Sequence, residues 1–221
     1  IAGATKRIKL TNGVLVVPYH NPLELAKMLS TLDFLSSGRL IIGVGIGNAR
    51  REFELLGVSH DERGQLTDEY LAAMIELWTK DEPRFEGKYV SFDNVVFEPK
   101  PIQKPYPPMW VGGNSKAALR RAARVGDGWN SSGIARENMP AMLEYLWGQP
   151  GLRDRPRPFE VVLSLTGSIV EVGTHRQIQG APIDTKEQVL EQIESITQVG
   201  ATATATPIKR TRSIEEYLEQ L

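Results

Sequence analysis

Two polar, glycine-bearing segments of this chain have the residue types of an anion cup. Gly112, Gly113, Asn114 and Ser115 fall between an apolar run and a helical pattern. Glycines let backbone N–H groups approach an anion, a helix N-terminus carries partial positive charge, and Asn114 and Ser115 add side-chain donors. The same four residues also make an ordinary tight turn with Ser115 as N-cap, and spacing alone does not choose between the two. Asn130, Ser131 and Ser132, followed by Gly133, end the next short apolar segment and supply a second polar wall. Two such ends side by side favour a phosphate-binding cup more than either does alone.

Asn12, Gly13 and Val14 lie inside an apolar run, where a glycine marks a bulge or the close approach of a ligand, or is an ordinary strand glycine. Gly43-Val44-Gly45-Ile46-Gly47-Asn48 lacks the spacing of a dinucleotide fingerprint, and no acidic residue follows it in the right place, so a Rossmann reading is rejected. These glycines, Gly45 among them, read instead as clearance for a planar cofactor, with Asn48 and Arg51 in reach of it or of a substrate. Arg50, Arg51, Glu52 and Glu54 read equally as a solvated helix face. His20, His60 and His175 do not pair at metal-ligand spacing, and each reads as a solvated loop residue; no metal site is expected. Trp129 reads as core filling rather than as a cofactor neighbour.

Composition narrows the class. A net charge of −1 gives no basic field for nucleic acid or an anionic membrane. The absence of cysteine excludes disulfides, thiolate nucleophiles and cysteine-ligated metals. No apolar run reaches the roughly 18 residues of a membrane helix. No segment reads as a signal peptide, and a cytoplasmic location is expected.

The elements that must position these residues alternate strand and helix, the pattern of a parallel sheet. Strands are expected at residues 9–17, 40–44, 109–111, 128–131, 161–172 (with a bend at Gly167) and 201–206. Asn21, Pro22 and Glu24 form a helix start, with Leu25, Met28, Leu29 and Leu32 as its buried stripe and Ser36-Ser37-Gly38 as its stop. Residues 48–108 interrupt the rhythm. There, Thr67 is expected to cap a helix with Leu71, Met74, Ile75 and Trp78 on one face, and a hairpin is expected around Asp93-Asn94. Residues 99–108 carry five prolines and read as an extended connector. Leu119, Ala122 and Ala123 face inward on a helix that Gly126 stops. Another helix surrounds residues 140–147. A capping box at Asp184-Thr185-Lys186-Glu187 opens a helix that buries Val189, Leu190, Ile193 and Ile196 and ends at Gly200. Ser213 and Glu216 open a last one. Six strands of barrel type against the eight of a closed barrel of about 250 residues, together with an opening at Ile1 rather than Met, suggest two strand–helix units preceding this segment.

The ordered set of motifs resembles the luciferase-like monooxygenase family. Residues 5–18 with His20-Asn21-Pro22, and Leu32-Asp33 through Gly38-Arg39 to Gly45, look like its third and fourth units. Residues 107–115, 117–123 and Gly126-Asp127-Gly128-Trp129 look like its fifth and sixth, and Gly180-Ala181-Pro182 is similar to its ending. The resemblance implies an α/β fold, a (β/α)8 TIM barrel of the bacterial luciferase-like type. Its first two units would precede residue 1, and residues 1–221 would form a single domain with an insertion at about 48–108. It implies a non-prolyl cis peptide at Gly13–Val14, a bulge beneath an isoalloxazine-like ring, and a homodimer. The likeness is greatest to the branch that uses coenzyme F420, an 8-hydroxy-5-deazaflavin, with FMN as the alternative cofactor. Two positions depart from relatives: Ile46 stands where luciferase subunits carry an Arg facing the FMN phosphate, and Asn48 where deazaflavin-dependent sugar-phosphate dehydrogenases carry an acid. The implied activity is a deazaflavin-dependent oxidoreductase acting on a small organic substrate. The alternatives are an FMN-dependent monooxygenase using reduced flavin and oxygen, and a non-catalytic flavin-binding relative. A phosphate-binding barrel without redox chemistry would need an acid, base or Lys at a strand end, and none stands out.

Overall fold

The computed structural model describes residues 1–131, 136–152, 155, 157–164 and 186–205. Among them the chain runs β1 (Leu10–Thr11), β2 (Leu15–Val16), α1 (Pro22–Leu35), β3 (Leu40–Gly45), α2 (Arg50–Leu56) and α3 (Arg63–Thr79). It continues with β4 (Phe85–Glu86), β5 (Ser91–Phe92), β6 (Met109–Gly112), α4 (Lys116–Val125), β7 (Gly128–Ser131), α5 (Met139–Trp147), β8 (Glu160–Ser164), α6 (Lys186–Gln198) and β9 (Ala203–Ala205). All strands but β4 and β5 form one parallel sheet, in which β1 and β2 both pair with β3 and the order continues β6, β7, β8, β9. Each neighbour follows the last in sequence, with helices between, as in a barrel wall.

Alternation along the strands sets the two faces. Ile42, Val44, Met109, Val111, Trp129 and Val161 are buried against the helices, together with Leu25 and Leu29 of α1, Leu71, Met74 and Trp78 of α3, and Leu119 and Ala122 of α4. Each large apolar side chain buried this way contributes about 2 kcal/mol. The opposite face, with Ile41, Trp110, Gly112 and Asn130, is half-buried.

Local signals act where they were expected. The Asn21 side chain accepts from the N–H groups of Leu23 and Glu24, with Pro22 at the first helical position. Ser115 caps α4 by accepting from Ala118 N–H, and Gly200, at φ +93°, follows α6. Strand β7 has the expected bounds, and residues 99–108 form no strand.

Other expectations are corrected. The first strand is split in two, with a short 3-10 turn at Val17–Tyr19. Met28, 64% exposed, and Leu190, 49% exposed, lie outside the buried stripes assigned to them. Helix α3 begins at Arg63, and Thr67 sits buried in its second turn, its hydroxyl donating to the Arg63 carbonyl. Helix α3, within the stretch expected as an insertion, packs along α1. The hairpin lies earlier: Phe85 faces Phe92 and Glu86 faces Ser91. Its turn wraps the Glu69 carboxylate, which accepts from the N–H groups of Lys88, Tyr89 and Val90. Val95 and Val96 form no strand. Ser132, Gly133, Gly167, His175, the 180–185 segment and the helix expected from Ser213 lie outside the described residues.

The N-terminal end of the sheet is tied by polar side chains to backbone. Buried Asp33 accepts from Gln103 N–H at 3.0 Å and from Gln103 Nε2 at 2.7 Å, and Gln103 Nε2 also donates to the Leu40 carbonyl. Arg39 donates to the carbonyls of Ala2, Ile8 and Ser36. Asp127 accepts from Met109 N–H. Arg155 reaches the last carbonyls of α4, those of Ala122, Ala123 and Gly126, where a cation also complements the helix dipole.

Candidate cofactor site

The opposite end, where the strands finish, is built around the interruption between β1 and β2. Thr11 is in register with Ile41, and Leu15 with Val44, so Asn12, Gly13 and Val14 face only Ile42 and Gly43. One extra residue makes a bulge, and the Gly13–Val14 peptide within it is cis, as the resemblance implies.

Glycines on the neighbouring strands make room for this bulge. A Cβ on Gly45 would lie 2.6 Å from Val14 Cγ2, and one on Gly112 would lie 2.9 Å from Val14 Cγ1. A Cβ on Gly43 would overlap the Asn12 carbonyl oxygen. The clearance expected for a planar cofactor is therefore taken up by Val14, which is itself 37% exposed. The exposed surface here is the bulge, with the glycines behind it. A Cβ on Gly13 would meet only Asn130 Nδ2, at 4.0 Å, so the bulge and the end of β7 approach each other across the inner face.

The other expected residues divide by strand alternation and hydrogen bonding. Gly113, at φ +112°, continues from β6 and accepts from Trp129 Nε1 through its carbonyl at 2.8 Å. Fully buried Trp129 is thus core, and it anchors the turn whose exposed residues are Gly113, Asn114 and Ser115. The first N–H groups of α4 lie beside them without intrahelical partners. Ser131 is 3% exposed and shares the helix-facing side with Trp129 rather than the inner face with Asn130. Asn12 turns its amide onto Gly43. Asn48 is exposed on the loop after β3, and Arg51 pairs with Glu54 at 3.2 Å on the surface of α2.

Sequence reasoning missed one polar pair. Tyr19, in the turn after β2, donates its hydroxyl to Glu52 at 2.7 Å. Burial of the phenol and the adjacent Glu52 carboxylate push its pKa up to about 12. Glu52 is therefore an acceptor for the loop after β2 rather than only part of a solvated face. Tyr19 also packs edge-on against buried Phe53, which in turn meets the His60 ring. His60 is mostly buried, its Nδ1 3.2 Å from Asp61, and is not a solvated loop residue. No local pattern announces this cluster, because its members come from three separate segments. Among the described residues no group of His, Asp and Glu is arranged to hold a metal, and no helix is long and apolar enough to cross a membrane.

A parallel α/β sheet, curled with helices outside and with a bulge and a helix N-terminus at the finishing ends of its strands, is the wall of a barrel, and barrel enzymes carry their sites at that end. The chain belongs to the luciferase-like monooxygenase family, whose model matches residues 1–171. It is 33% identical over 147 residues to the FMNH2-dependent dimethylsulfone monooxygenase of Pseudomonas putida, covering 65% of this chain and 40% of that protein. It shares its fold with a monooxygenase from Streptomyces bottropensis, at TM-score 0.80 and 23% identity over 99% of this chain and 77% of that one. It also shares it with an F420-dependent secondary alcohol dehydrogenase solved with an F420–acetone adduct, at TM-score 0.77 and 18% identity, covering 93% and 75%. The chain spans about half the length of the curated relatives it matches. Proteins similar to this chain in sequence or in fold thus include an FMNH2-dependent and an F420-dependent one.

Proposed function

We propose that this chain forms the cofactor-holding wall of an oxidoreductase that binds a flavin-type ring, either F420 or FMN, and acts on a small organic substrate. The observation that carries this reading is the convergence of the 12–14 bulge, Asn130 and the Gly112–Gly113–Asn114–Ser115 turn at one end of the sheet. The residues fit such a group. Gly13 and Val14 offer a flat, side-chain-poor surface for a ring. The turn before α4 offers N–H donors and the Ser115 hydroxyl to a phosphate, since capping uses that oxygen only as an acceptor. Asn130 offers an amide at the ring's edge. When bound, the cofactor supplies the redox centre; the protein supplies position and exclusion of water.

The Pseudomonas relative favours FMN, whereas Ile46, at the place of an Arg that faces the FMN phosphate in luciferase subunits, counts against luciferase-like FMN binding. Titrating the purified protein with each cofactor, followed by fluorescence quenching, separates the two. Saturable binding of one is expected, weakened by Gly113→Asp, which puts a carboxylate at the cup. Binding of neither overturns the proposal. Substrate-dependent oxidation or reduction of the bound cofactor then distinguishes an enzyme from a flavin-binding relative without turnover.

A further inference from the structure

The bulge leaves β3 with a problem that a single side chain solves. Gly43 is buried in the middle of the sheet; the Leu15–Val44 pairing gives its carbonyl a ladder donor in Leu15 N–H, but where three residues face two, no backbone acceptor stands in register for the Gly43 N–H. An unpaired buried N–H or C=O is costly, so a partner is required. Asn12 provides it: its Oδ1 accepts from the Gly43 N–H at 3.1 Å, and its Nδ2 adds a second donor to the Gly43 carbonyl at 2.6 Å. A carboxamide carries a donor and an acceptor disposed much as in a peptide group. On the far side of the bulge, Val14 is seated against Gly45 and Gly112.

We infer that Asn12 is a positioning residue for the cofactor. Its amide replaces the missing rung of the ladder and so holds the Gly13–Val14 surface at the height where a ring would rest. This rests on the functional reading above. Sequence alone places Asn12 among the cofactor contacts; here it acts through the bulge. The chemistry demands an amide. Aspartate keeps an acceptor for Gly43 N–H but sets a negative oxygen against the Gly43 carbonyl. Alanine leaves the Gly43 N–H unpaired and takes the second donor from its carbonyl.

Three measurements test this. In the wild-type protein, the Gly43 amide should exchange as slowly as its neighbours in β3; rapid exchange overturns the clamp without any variant. In Asn12→Asp and Asn12→Ala, affinity for whichever of FMN or F420 the wild type binds should fall about tenfold or more, the weight of one buried hydrogen bond. At saturating cofactor, the visible absorption band should also move toward that of the free cofactor, which a merely destabilised fold would not cause. Asp33→Ala, at the other end of the sheet, is the control: it should lower Tm and leave affinity unchanged. If Asn12→Asp behaves like that control, with affinity within about twofold, the inference fails. If the Asn12 variants do not fold, Val14→Ala must weaken binding and shift the band, and failure to do so overturns the proposal. Absence of cofactor binding by the wild type would sink the functional reading itself, and the positioning role with it; wild-type binding with unchanged affinity in Asn12→Asp sinks the present inference alone.

Discussion

The two ends of the parallel sheet use their polar residues in opposite ways. At the N-terminal end, Asp33, Arg39, Asp127 and Arg155 direct their side chains onto backbone groups of neighbouring segments and lash the connections together. At the C-terminal end, side chains are traded for glycine, and one valine fills the space that Gly45 and Gly112 vacate. The turn there exposes Gly113, Asn114 and Ser115. One end is tied together by side chains on backbone and is therefore stabilising; the other presents a glycine-rich surface, the place for the proposed cofactor. Function in such barrels gathers where the strands finish, and stability where they begin.

The largest effect should come from breaking the tied end. Asp33→Ala leaves the half-buried Gln103 backbone N–H without its partner and its side-chain amide with the Leu40 carbonyl alone, and chemical denaturation should show a loss of about 3 kcal/mol. A loss below about 0.5 kcal/mol, the scale of an ordinary surface change, would show that this end is not held by the network.

Overfilling the glycine-lined end comes next. Gly45→Ala forces a methyl against Val14 and should cost about 2 kcal/mol. Combining it with Val14→Ala should cost less than the sum of the singles, because the second change removes the clash. Strict additivity would mean that Val14 does not sit on Gly45.

Ser115→Ala removes the cap of α4 and should cost about 1 kcal/mol. If the turn also holds a phosphate, this variant loses cofactor affinity, whereas removal of the Asn21 cap of α1 by Asn21→Ala costs similar stability and leaves affinity intact. Equal affinity in both variants would leave Ser115 a cap alone.

The smallest effect concerns pH. The Tyr19 phenol is raised from an ordinary 10 to about 12, so between those values the folded protein holds a proton that the unfolded chain has lost. Its contribution is complete below pH 10 and disappears as pH rises through 12. Melting curves of Tyr19→Phe should therefore fall less steeply over that range than those of the wild type; parallel slopes would exclude the linkage.

Much of this molecule is legible without coordinates. The strand–helix alternation, the caps at Asn21 and Ser115, the bounds of β7 and the bulge glycine each depend on residues a few positions apart, so local sequence determines them. The family resemblance was also carried by such short, ordered motifs. What tertiary structure decided are contests between distant groups. Asp93-Asn94 has good turn chemistry, yet the hairpin turn forms at residues 87–90 because the Glu69 carboxylate on α3 collects three of its N–H groups. Ser131 looked like a cup residue, but strand alternation turns it to the helices and leaves Asn130 at the mouth. Glu52 finds Tyr19 only once the turn after β2 and α2 are folded side by side. Asn12 shows the same division most sharply: sequence marked the residue, and only the pairing of β1 and β2 with β3 showed that its amide completes the sheet, because a hydrogen bond across 31 residues leaves no trace in local spacing.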